Sequence, residues 1–113
     1  MGRFVFEPIT SERELKVTVE GSFSQEDAAR FIEASNEHIA GINPAEYAVY
    51  LDCTSMNVNA PCVVPVLEQC YGLYKDAGFH QIIFAIARNP VLKMQLGRVA
   101  RTAKLENYEI IEV

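Results

Sequence analysis

Two runs of β-forming residues, EYAVYLDC at 46–53 and HQIIFAIA at 80–87, are each followed by a stretch with helical apolar spacing. After the first run the spaced residues are Val63, Val66, Leu67, Cys70, Leu73 and Tyr74. After the second they are Leu92, Leu96, Val99 and Ala103. Strand, helix, strand, helix in that order dictates a parallel sheet joined by right-handed crossovers. Both runs are nearly continuous in apolar residues. Strands covered on both faces read that way, so both are expected at the centre of a sheet enclosed by helices.

The amino-terminal part adds a different unit. RFVFEP at 3–8 and ELKVTVE at 14–20 are strand-like. In the second, Leu15, Val17 and Val19 alternate with Lys16, Thr18 and Glu20, the pattern of a strand with one wet face. The short polar ITSER between them predicts a hairpin. Ser24 and Asp27 then form a capping-box pattern, with aspartate in place of the usual Glu or Gln. They open a helix over 25–40 with Ala28, Phe31, Ile32 and Ile39 on one face, Glu33 and Glu37 in water, and Gly41 as its stop. Asn89 caps the last helix and Pro90 takes its first position. YEIIEV closes the chain as a strand. The whole of 1–113 reads as one α/β domain of order ββαβαβαβ, with an antiparallel hairpin leading into a mixed sheet.

Charge excludes one class of partner. The net charge is −5, and residues 1–56 carry 4 Lys and Arg against 10 Asp and Glu. Nucleic-acid binding needs clustered cations that this balance does not supply. The cations that exist gather late, with Lys93, Arg98, Arg101 and Lys104 on the last helix, either as a solvated face or as a surface for an acidic partner. No run reaches the roughly 18 apolar residues of a membrane span. The start of the chain lacks the pattern of a secretory signal, and the three cysteines have no metal-ligand spacing. The expectation is a cytoplasmic protein with free thiols and no cofactor.

The segment SMNVNAPCVVP at 55–65 carries the candidate site. Pro61 suits a first helical turn. Pro65 would break a helix already under way, so the helix starts late, nearer Val63, or begins irregularly. Thr54, Ser55, Asn57, Asn59 and Cys62 then lie in a stiff exposed loop at the mouth of the central strand, where open α/β sheets gather ligands. Thr54 and Ser55 offer hydroxyls, and Asn57 and Asn59 adaptable hydrogen-bonding groups. Cys62 reads first as a small residue packed at a helix start. A helix start also favours the thiolate form of a cysteine, which makes a thiol-dependent enzyme or redox sensor the alternative. His38 and His80, the only histidines, are remote in sequence, and His80 is expected at the opposite edge of the sheet.

The element order, the length, the Leu51–Asp52 pair closing the central strand and the stretch YKDAGFHQIIFAI together resemble the STAS domain, the module of sulfate transporters and bacterial anti-sigma factor antagonists. The resemblance implies a regulatory module that works by binding a protein. In regulatory members a serine at the start of the helix after the central strand accepts phosphate and switches binding off. Aligned without gaps, Asp52 matches the strand aspartate and Thr54 the residue two beyond it. Ala60 stands where the switch aspartate belongs, Cys62 where the acceptor serine belongs, and Val63 where a glycine belongs. The resemblance therefore implies the interaction surface without the usual phosphoserine.

The reading is a non-enzymatic protein-interaction module with a protein partner, a homodimer being one option. Its alternatives are thiol chemistry at Cys62 and an apolar ligand, such as a lipid, held between sheet and helices.

Overall fold

The computed structural model describes residues 2–113. Strands β1 (Arg3–Ile9) and β2 (Glu14–Gly21) form the hairpin and lead into α1 (Gln25–Ala40). A short 3-10 turn (Pro44–Glu46) precedes β3 (Ala48–Met56). Then follow α2 (Val64–Ala77), β4 (Gln81–Ile86), α3 (Pro90–Thr102) and β5 (Tyr108–Glu112). The sheet runs in the order β1-β2-β3-β4-β5, with only β1 and β2 antiparallel.

Local chemistry sets the helix boundaries. The Ser24 hydroxyl accepts from the Asp27 N–H, and the Asp27 carboxylate accepts from the Ser24 N–H, so both halves of the capping box form. Asp27 does more than cap. It is buried, and it also accepts from the Gly2 N–H and pairs with Arg30. These donors hold its carboxyl below the usual carboxylate range, the backbone N–H of Ser24 most of all. In α3 the Asn89 side chain accepts from the Leu92 N–H, with Pro90 at the first position. The start of α2 is late, with Pro65 at the second position, where no hydrogen bond is lost.

Inward rows cross the sheet as Leu15–Val49–Ile82 and Val17–Leu51–Phe84, all buried. Against them pack Phe31 of α1, Leu67, Tyr71 and Tyr74 of α2, and Leu92, Leu96 and Val99 of α3. Ser35 and Tyr74 are fully buried and share a hydrogen bond of 3.1 Å, which satisfies both hydroxyls where α1 meets α2.

The expectation that helices enclose the central strands is wrong. In β3 only Val49, Leu51, Cys53 and Met56 are buried, while Ala48, Tyr50, Asp52 and Thr54 are half-buried. The opposite face carries the rows Glu7–Lys16–Tyr50–Ile83–Glu109 and Val5–Thr18–Asp52–Ala85–Ile111. Strand order explains this. Each crossover moves one strand over in the same direction, and crossovers of one hand then place every helix on one face. Accordingly α1 packs on α2, and α2 on α3, in a single layer.

A cavity between sheet and helices is also small. The cavity bounded by Val19, Phe31, Leu51, Met56 and Tyr71 measures about 10 Å³, which has no room for the apolar ligand considered above.

Candidate partner-binding site

The site begins where β3 goes out of register. From Thr18 to Glu20 β2 advances two residues while β3 advances three, from Asp52 to Ser55. Such a bulge re-aims the side chains that follow it. Here the Asp52 carboxylate accepts from the Thr54 N–H at 3.1 Å and from its hydroxyl at 2.7 Å. The Thr54 hydroxyl is thus engaged with a neighbouring side chain. Ser55 is exposed.

Beyond Met56 the loop is tied down at three places. The Asn57 amide donates to the Ser22 hydroxyl at 2.7 Å, and the Asn57 N–H donates to the Gly21 carbonyl. Gln95 of α3 holds Asn59, accepting from its N–H at 2.9 Å and donating to its carbonyl at 2.8 Å. Gln25, at the start of α1, donates to the Cys62 carbonyl at 3.2 Å. The segment then turns through Ala60–Val63, closed by the Val63 N–H on the Ala60 carbonyl, and enters α2.

Four candidate residues differ from their expected setting: Thr54 and Ser55 lie in β3, which runs on to Met56, Asn59 turns inward, and Cys62 is not packed at the helix start. Asn59 is 6 % exposed, so its side chain mainly braces the loop from within. Its Oδ1 is buried with no hydrogen-bond donor among the described residues. An orphan acceptor of this kind costs about 1–3 kcal/mol, against which the Gln95 bonds are set. Cys62 is exposed and unpacked, in the turn before α2.

The other two thiols are buried. Desolvation pushes Cys53 and Cys70 up to about 12. Neither histidine lies in the loop. The His38 ring stacks on Phe6 at 4.5 Å, and the His80 N–H donates to Tyr47 at the far end of β3. Among the described residues no group of three His, Cys, Asp or Glu side chains is placed to hold a metal.

Sequence reasoning missed the residues that shape the loop from elsewhere, namely Ser22, Gln25 and Gln95. It also missed a groove of about 410 Å³ beside the loop, between the start of α2 and α3. Pro61 and Val64 line it on one side and Val91, Met94 and Arg98 on the other. Val91 and Met94 are 61 % and 65 % exposed. An exposed valine on a helix beside an exposed methionine was legible in the sequence; their meeting with Pro61 was not.

This architecture defines a class of fold. A five-stranded mixed sheet, with one antiparallel hairpin and three helices on a single face, is the anti-sigma factor antagonist fold. The solved structure of an anti-sigma factor antagonist from Mycobacterium paratuberculosis is similar over 100% of this chain and 87% of that one, with a TM-score of 0.68 and 13% sequence identity. That likeness shows the fold expected from the STAS resemblance. No protein-family model matches the chain, and no curated protein does. None of the described helices is long and apolar enough to cross a membrane.

Proposed function

We propose that the protein is a cytoplasmic, non-enzymatic interaction module that presents the end of β3 from Thr54, the loop that follows to Cys62 and the start of α2 to a protein partner. One observation carries this reading. This stretch is exposed at Ser55, Asn57, Val58 and Cys62, yet is fixed by tethers from the β2–α1 turn, α1 and α3. A surface loop held in one shape loses little conformational freedom on binding, so more of its contact energy appears as affinity. The likeness to an anti-sigma factor antagonist supports a regulatory role of the same kind. The STAS resemblance aligns Cys62 with the acceptor serine, so control by phosphoserine at that position is not part of the proposal.

The test uses two exposed positions whose side chains make none of the tethers, the Cys62 tether being to its backbone carbonyl. Val58→Lys with Cys62→Lys leaves the core and the three tethers intact. Proteins captured by the wild-type chain and identified by mass spectrometry are expected to be lost by this variant, at unchanged melting temperature. Retention of the same proteins in equal amount would place the interface elsewhere.

A further inference from the structure

We infer that the groove between α2 and α3 receives a short acidic amphipathic helix of the partner protein. The inference rests on the interface reading above, because the groove shares Asn59 and Pro61 with the loop. Its volume of about 410 Å³ falls in the range of ligand-sized clefts, roughly 300–1,000 Å³, and admits a few side chains rather than a folded element.

The chemistry of the walls selects the occupant. Val91, Met94 and Arg98 stand at spacings of three and four on α3, so they form one ridge about 10 Å long. Pro61 and Val64 face that ridge. An apolar helix face with side chains at the same spacings fits such a slot. Methionine, unbranched and polarizable, adapts to what enters.

Arg98 sets the charge. It lines the groove, it is exposed, and it makes no ion pair among the described residues. Arg101, on the next turn, is also exposed and unpaired among the described residues, but it does not line the groove and its guanidinium lies beside Gly97. Lys93, by contrast, is held by Glu112 at 2.9 Å. In a chain of net charge −5, Arg98 puts an unpaired positive charge at the apolar slot, complementary to a carboxylate flanking an apolar stripe.

A second copy of the chain does not offer that shape. Its acidic helix, α1, has Ala28 and Phe31 buried in its own core, and turns Glu26, Glu33 and Glu37 outward. Apolar and acidic faces are not available together. An anionic membrane surface is disfavoured by the net negative charge.

The test uses three synthetic peptides of about 15 residues, long enough for marginal helicity. They share one leucine stripe at positions i, i+3, i+4 and i+7, and their flanking positions are all Glu, all Gln or all Lys. Each is titrated to about 1 mM into the isotopically labelled protein and followed by amide chemical shifts. The Glu peptide is expected to bind most tightly and to shift Val64, Val91, Met94 and Arg98. Arg98→Glu should weaken it about tenfold and reverse the order of the Glu and Lys peptides. Met94→Glu should weaken all three, and both variants should keep the wild-type melting temperature.

Absence of shifts with every peptide, equal binding of the Glu and Lys peptides, or shifts confined to other surfaces would overturn the inference. So would concentration-dependent dimerisation through the groove without peptide. The two readings can fail separately. Partner capture lost by Val58→Lys with Cys62→Lys but untouched by Arg98→Glu removes the groove and leaves the loop. The converse removes the loop.

Discussion

The Gln95 side chain of α3 forms a two-way clamp on Asn59, accepting from its backbone N–H at 2.9 Å and donating to its carbonyl at 2.8 Å. The Asn59 amide adds a third contact to the same Gln95 oxygen at 3.1 Å. A loop following β3 is thereby held by a helix that follows β4. Gln95→Ala is expected to cost about 1–3 kcal/mol, because it leaves buried groups of Asn59 without partners. Hydrogen exchange at Asn57–Cys62 should quicken more than exchange in the sheet. Unchanged exchange in the loop would mean that the clamp does not hold it.

Thiol reactivity should divide the cysteines sharply. Iodoacetamide is expected to modify Cys62 in the native protein and to reach Cys53 and Cys70 only after unfolding. Native modification of either buried thiol, read by peptide mass mapping, would contradict the packing described.

The same burial predicts alkaline sensitivity. Cys53 and Cys70 rise from an ordinary value of 9.0 to about 12 in the folded state, so folding favours their protonated forms. That contribution is complete below about pH 9 and is lost as pH rises toward 12, where the unfolded chain releases protons first. Burial raises Tyr71 and Tyr74 as well, which adds to the loss. Melting temperature should therefore fall above about pH 9, and Cys53→Ala with Cys70→Ala should flatten the slope. An equal slope in both proteins would show that these thiols are not the source.

Asp27 gives the opposite dependence. Its folded value is lowered by its N–H donors, so its contribution is complete above about pH 4 and fades as pH falls through the folded value. Asp27→Asn should lower stability at neutral pH and reduce the acid dependence of unfolding in urea. An unchanged acid slope would remove Asp27 as the group responsible.

Gly97 lies in α3 where a methyl group fits at ordinary contact distance. An added Cβ would meet Arg101 Nη1 at 3.5 Å and Ile110 Cδ1 at 3.8 Å, both ordinary contacts. Gly97→Ala should stabilise the protein by up to about 1 kcal/mol, the helix-propensity difference. Destabilisation in thermal melts would mean that β5 sits closer than these distances show.

Much of the fold was legible because its signals are local. Ser24 with Asp27, and Asn89 with Leu92, each act across three residues, and Pro65 by itself delayed the start of α2. The covered face was not legible. Tyr50 and Ile83 are as apolar as the core residues beside them, and only the one-directional strand order decides that they face outward. The loop was found from its own residues, but its shape was not. Asn59 is bound by a residue 36 positions away, and nothing in its neighbours announces that it turns inward.

The interface itself is best tested by hydrogen exchange of the labelled protein with and without its captured partner. New protection at Thr54–Cys62, at the first turn of α2 and along Val91–Arg98 is the expected result. Protection of the open sheet face around Tyr50, Ile83 and Ile111, with the loop amides unchanged, would contradict the proposed surface.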